Sequence, residues 1–336
     1  MNNIKNNIIR SVKIVGTGSY APKQIITNQE LADKFTSTTA EWIFDNLGIK
    51  ERHIAGAGEF TSDLAFKAAK KALENASLSP DQIDLIIVAT ATPDRLAPST
   101  ACIVQEKLGA QNAAAFDINA VCSGFLYAFA IGSQFIAAGM YRNVMVIGAD
   151  TFSKITNWED RSCVFFGDGA GATILSNAGE DEGLISVDLY ADGTGKFNFT
   201  VPAGGSEMPS TLDTVNEGLH YFQMNGKAVY ETATRVLPEA INNVLKRSNL
   251  NISDVDYLIP HQPSIRILKK TAEILGLPFE KVKTNMELYA NTSGGTIPIL
   301  LDEVNRSGVL KRGDIIVFAA VGSGWTWGAA VMKWVK

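Results

Sequence analysis

The chain has 336 residues, 46% hydrophobic and 19% charged with 29 glycines, a composition that excludes a disordered or fibrous chain and provides core for about two domains of roughly 150 residues each. Its 30 lysines and arginines against 35 acidic residues leave a net charge of −5, so there is no global basic field of the kind nucleic-acid binding needs. The three cysteines, Cys102, Cys122 and Cys163, are too few for a disulfide framework and lack the CxxC spacing of a zinc site, which predicts a reducing, cytoplasmic setting.

The first residues lack the apolar stretch of a signal peptide, and no run of about 20 apolar residues predicts a membrane span. β-branched runs then alternate with helical patterns. Strands are predicted at 12–15, 85–89, 115–118 and 144–147, and helices at 59–75, 100–108 and 123–138. After about residue 175 the cycle repeats, with helices at 226–248, 264–275 and 294–306 and strands at 257–259 and 315–319. This is the signature of an α/β fold. Two segments, SLSPDQIDLIIVAT at 77–90 and NLNISDVDYLIPHQ at 249–262, share an Asp-rich turn followed by an apolar strand, which points to internal duplication into halves 1–175 and 176–336. No Pro/Ser/Gly linker separates the halves, so one shared core is expected. Residues 191–215, rich in Gly, Thr and Pro, read as a surface loop.

Cys122 ends one strand pattern and opens a long apolar helix, SGFLYAFAIGSQFIAAG. A thiol at a helix N-terminus lies where the dipole favours thiolate, so Cys122 is the candidate nucleophile. Cys102 and Cys163 read as inert buried thiols. Of the three histidines, only His261 stands where a strand gives way to a helix, the usual place for a site in α/β folds; His53 and His220 read as surface or packing residues. Asn291 precedes the Gly-rich turn of YANTSGG and is a candidate helix cap. The glycines at 16–18 and 167–171 fail the dinucleotide fingerprint. Those at 322–328 offer backbone N–H groups to an oxyanion. Cys, His and Asn together also fit a papain-like protease loosely in spacing, but the local signature of that class is absent.

Six motifs, EWIFDNLGIKERHIA at 41–55, DINAVCSGFLYA at 117–128, DRSCVFFGDGAGA at 160–172, PHQPSIRI at 260–267, YANTSGGTIP at 289–298 and GSGWTWGAA at 322–330, resemble in order the β-ketoacyl-[acyl-carrier-protein] synthase III family of the thiolase superfamily. The resemblance implies a thiolase fold, two duplicated αβαβα halves forming a five-layer core, and a homodimer. It implies that Cys122, His261 and Asn291 are catalytic, with an oxyanion hole from the N–H groups of Cys122 and Gly324. It further implies that coenzyme A is held by Trp42 and Arg161 about the adenine, with Thr38, Asn225 and Ser264 assisting. Arg266, Lys269 and Lys270 are implied in docking an acidic acyl carrier protein, and Ala97 and Phe166 in the acyl pocket. Acyl-CoA and malonyl-carrier thioesters are then substrates, and no metal or redox cofactor is implied. Three departures bear on the substrate: Pro263-Ser264 replaces the usual Ala-Asn, Asn46 replaces an Arg, and Ala97 replaces an aromatic that crosses the dimer to wall the partner's acyl pocket. The change at Ala97 implies a primer bulkier than acetyl, and the altered coenzyme A grip leaves as the alternative a related ketosynthase or acyltransferase of specialised metabolism with a bulkier acyl donor or a different acceptor.

Overall fold

The computed structural model describes residues 11–35, 37–179 and 182–336. The chain opens with β1 (Val12–Tyr20), followed by a ribbon of β2 (Gln24–Thr27) and β3 (Glu51–Ile54) that brackets α1 (Asn28–Ala32) and α2 (Ala40–Leu47). Next come α3 (Thr61–Ala76), β4 (Leu85–Ala89), α4 (Thr100–Leu108), β5 (Ala114–Ile118), α5 (Gly124–Ala137), β6 (Asn143–Asp150) and β7 (Gly169–Asn177). The second series runs β8 (Gly183–Ala191), β9 (Phe199–Thr200), α6 (Leu212–Asn216), β10 (Gln223–Met224), α7 (Gly226–Arg247), β11 (Tyr257–Pro260), α8 (Ile265–Leu275), α9 (Met286–Tyr289), α10 (Thr296–Arg306), β12 (Ile315–Gly322) and β13 (Thr326–Lys333).

The two large sheets repeat one plan. The first has the order β1-β7-β6-β4-β5 and the second β8-β13-β12-β11. In the first, β6, β4 and β5 run parallel to one another while β1-β7 and β7-β6 are antiparallel; in the second, β11 runs parallel to β12 while β12-β13 and β13-β8 are antiparallel. Where β5 lies parallel to β4, the second sheet has a single parallel bridge, Leu258 with Val282.

Five layers follow from which faces are apolar. Helices α3 and α4 cover the outer face of the first sheet, and α7 and α8 cover the outer face of the second. Between the sheets lie α5 and α10. GFLYAFAIGSQFIA is apolar all round, as a helix between two buried surfaces must be. Small residues set the spacing: a Cβ at Gly171 of β7 would meet Pro298 of α10 at 2.7 Å, so the central helix rests directly on the strand backbone.

The predicted elements recur with shifted ends. β1 continues past residue 15 to Tyr20, because the small residues after Val15 still pair with β7 while α3 packs against them. Residues 191–215 hold β9 and the start of α6 rather than one loop. β2, β3 and β8 went unread. No helix among the described residues is long and apolar enough to cross a membrane.

Candidate active site

The nucleophile sits in a strained turn. Between β5 and α5 lies a single 3-10 turn, Val121–Ser123, and Val121 adopts φ +47°, a left-handed conformation that costs a β-branched residue on the order of 1–3 kcal/mol. Neighbouring contacts hold it there. Ser123 Oγ donates to the Thr326 carbonyl at 2.9 Å, Thr326 Oγ1 donates to the Ala120 carbonyl at 3.2 Å, and Gly322 passes so close that a Cβ would meet the Ser123 nitrogen at 2.8 Å.

Cys122 is 8% exposed and opens onto a cavity of about 330 Å³ that His261 and Asn291 also line. Burial pushes the Cys122 thiol up to about 12, aided by the field of Asp150 and opposed by the Ser293 hydroxyl. This corrects the sequence expectation of a thiolate: desolvation outweighs the helix dipole, worth at most about 2 kcal/mol.

His261 follows β11 at its C-terminal end, where its N–H donates to the Ala319 carbonyl at 2.8 Å. Its Nδ1 lies 2.8 Å from Thr296 Oγ1, the first residue of α10, which leaves Nε2 for the cavity. Burial holds the imidazole down to about 3, so it is neutral at physiological pH. Asn291 is pinned by its backbone, which accepts from Gly167 N and donates to the Phe165 carbonyl, both at 3.1 Å. Its Oδ1 accepts from Ser293 N at 2.8 Å. This bond to the residue two on is not the helix cap expected from sequence, since Gly295 stands at the N-cap of α10, and it turns the amide NH2, which has no protein acceptor among the described residues, toward the cavity.

Three residues went unread. Asp150, wholly buried at the end of β6, accepts from Thr90 Oγ1, Ala91 N, Thr92 N and Thr92 Oγ1 on one oxygen and from Gly294 N on the other. It ties the β4 loop to the turn before α10. Ser293, with a buried hydroxyl, and Thr296 complete the floor under Cys122 and His261.

Phe166 lines the inner wall, stacked on Phe152 at 4.6 Å within an aromatic group that includes Phe199 and Phe222. Trp42, Ser264, Arg266 and Asn46 also line the cavity. Arg161 stands outside the wall with its guanidinium 4.1 Å from the Trp42 ring centroid. Asn225 caps α7 beside the lining residue Gly226, and Thr38 is buried with a hydroxyl that has no partner among the described residues. Arg266 donates to Asn46 Oδ1 at 3.2 Å. Lys269 is exposed, whereas Lys270 is paired with Glu273 at 2.7 Å.

Two further expectations are corrected, for Gly324 and Cys102. Gly324, at φ +137°, is absent from the cavity wall, where Gly322 and Ser323 stand instead, because the turn into β13 carries Gly324 past it. Ala97 is exposed and does not reach the cavity of its own chain. Cys102 is exposed because it shares the solvent face of α4 with Glu106, opposite the buried Ala101 and Val104; Cys163 is buried as expected. His53 stacks on Tyr289 and His220 packs at a tilt against Tyr221, both outside the cavity wall, in line with their reading as surface or packing residues.

Family profiles described as 3-oxoacyl-[acyl-carrier-protein] synthase III match residues 116–193, and its C-terminal part residues 245–334. The chain is 51% identical over 324 residues to a β-ketoacyl-[acyl-carrier-protein] synthase III of Caldanaerobacter subterraneus subsp. tengcongensis, covering 96% of this chain and 98% of the relative. It belongs to the 3-oxoacyl-[acyl-carrier-protein] synthase III family. The synthase III crystal structure from Aquifex aeolicus superposes with a TM-score of 0.89 at 42% identity, covering 96% of this chain and all of that one. A priming β-ketosynthase of the R1128 polyketide pathway gives 0.90 at 29% identity, covering 100% and 99%. The layers and sheet orders above are therefore the thiolase fold, as the motifs implied.

Proposed function

We propose that Cys122, His261 and Asn291 carry the synthase III reaction. The chain is an acyltransferase: a condensing enzyme that starts fatty-acid synthesis by joining an acyl primer to a malonyl thioester. The observation that supports this assignment of residues is their convergence on one apolar-walled cavity from both sheets, with a thiol, an imidazole nitrogen and a free amide NH2 facing it.

In the first half, Cys122 Sγ attacks the carbonyl of an acyl-CoA. The tetrahedral oxyanion is met by the Cys122 N–H and by an N–H of the opposite turn, for which we take Ser323, a lining residue of the cavity, in place of Gly324. Coenzyme A leaves and takes the thiol proton on its sulfur. In the second half, the malonyl thioester oxygen accepts hydrogen bonds from His261 Nε2 and Asn291 Nδ2. Loss of carbon dioxide leaves its electron pair as an enolate held by those donors. Its carbon attacks the acyl carbonyl, the C–S bond breaks, and Cys122 leaves as thiolate and takes one proton from solvent. Both thioesters enter as substrates, and every step drawn uses the chain's own groups.

Trp42, Arg161, Thr38, Asn225 and Ser264 are the proposed coenzyme A contacts. Arg266 and Lys269, with Lys270 shared with Glu273, form the proposed docking patch for an acidic carrier protein. A cytoplasmic homodimer completes the reading. Leu96, 92% exposed beside Ala97, supplies the apolar side chain that such a loop offers a second copy. With the aromatic absent at Ala97, the primer is longer or branched, each added methylene contributing about 0.8 kcal/mol of burial.

Intact mass after exposure to a panel of acyl-CoAs, followed by malonyl-carrier protein, tests the reading. A gain on Cys122 that malonyl-carrier protein removes as a β-ketoacyl product is the expected result, with highest efficiency above acetyl. A gain that persists favours another acceptor, and no gain rejects the assignment.

A further inference from the structure

His261 has one tethered nitrogen and one working nitrogen, and the tether decides what the working one can do. Nδ1 lies 2.8 Å from Thr296 Oγ1, which in turn lies 3.0 Å from the Ser293 carbonyl oxygen. His261 and Thr296 are each 2% exposed, so bulk water does not compete. A threonine hydroxyl has a single proton, which only one of these two neighbours can receive. If it goes to Ser293, Oγ1 accepts from an Nδ1–H and leaves Nε2 a bare lone pair. If it goes to Nδ1, the ring proton resides on Nε2 and points into the cavity.

Two observations choose between these. The Ser293 carbonyl already accepts the backbone N–H of Thr296, so it is satisfied without the hydroxyl, whereas Nδ1 has no other partner among the described residues. The distances agree. O–H donors favour about 2.7–2.8 Å, which fits Oγ1 to Nδ1 better than Oγ1 to the carbonyl.

We propose that Thr296 is a positioning residue that fixes the Nε2–H tautomer of His261 by donating its hydroxyl proton to Nδ1. The inference rests on the function proposed above, which asks Nε2 to donate to the thioester oxygen as the enolate forms. Asn291 reaches the same arrangement by an equivalent device, its Oδ1 tied to Ser293 N so that its NH2 faces inward. One turn, Ser293–Thr296, thus orients both donors.

The test is the ring nitrogen spectrum of 15N-histidine-labelled protein, simple in a chain with three histidines, with His261 assigned by comparison with His261→Ala. The expected result is a protonated Nε2 and a bare Nδ1 in the wild type and in Thr296→Ser. Thr296→Val, matched in shape but without a proton to give, should lower the condensation rate at least about tenfold, with KM for malonyl-carrier protein kept within about twofold. Thr296→Ser should restore the rate to within about threefold. A wild-type proton on Nδ1 overturns the proposal, as does full-rate condensation by Thr296→Val. If Thr296→Val does not fold, the wild-type spectrum still decides. Failure of wild-type Cys122 to become acylated would strike the proposed function instead, leaving the tautomer readable on its own.

Discussion

Removing the Trp42 side chain should weaken the priming thioester and leave the extending one untouched. Arg161 and Trp42 lie one van der Waals layer apart, 4.1 Å from guanidinium to ring centroid, so an adenine enters between them only by parting them. With Trp42 36% exposed, that pair is worth about 0.5–1 kcal/mol. A base stacked on an aromatic ring contributes about 1–3 kcal/mol. The difference, about 0.5–2 kcal/mol, is what Trp42→Ala removes, a rise of roughly 2- to 30-fold in KM for acyl-CoA. Steady-state kinetics with acyl-CoA and with the matching acyl-pantetheine, which lacks the adenine, separates this from a general loss. Acyl-pantetheine and malonyl-carrier protein should keep their KM values within about twofold. An equal rise for both primers, or none for acyl-CoA, would refute the reasoning.

Cys122→Ala should abolish acylation, whereas His261→Ala should still acquire the acyl group and lose decarboxylation by at least about 100-fold; intact mass and carbon dioxide release read the two steps apart. Because burial holds the Cys122 thiol at about 12, its alkylation by iodoacetamide should rise close to tenfold per pH unit from 7 to 9; a plateau below pH 8 would mean a depressed pKa instead. Gly322→Ala places a Cβ 2.8 Å from Ala120 O and Ser123 N and 3.0 Å from Cys122 N, so kcat should fall at least about tenfold and the melting temperature should drop, with unchanged kinetics counting against the packing argument.

Much of the fold was legible because its signals are local. Helix α4 and strand β4 stand where periodicity put them, since an N-cap Ser99 and a run of LIIVA need no tertiary information. β2 was missed because QIIT is only four residues long, and its strand character comes from pairing with β3. Within the site, Cys122, His261 and Asn291 were found from element boundaries and motifs. Asp150 was not, because its partners at 90–92 and 294 are distant in sequence and only the fold brings them together. The same limit explains Gly324. A run of alternating glycines does not reveal which residue of a turn faces inward. The thiolate expectation failed because a dipole is visible in sequence and desolvation is not.

The central layer has a consequence for how the protein loses its structure. Helices α5 and α10 are shared by both sheets, and the reactive groups lie at their N-terminal ends, so neither half retains a complete interior without the other. Opening one half would strip both central helices of an apolar partner surface, which couples the halves into one cooperative unit. Heat inactivation and loss of secondary structure should therefore follow a single transition, with the site lost only when both sheets let go of the central helices.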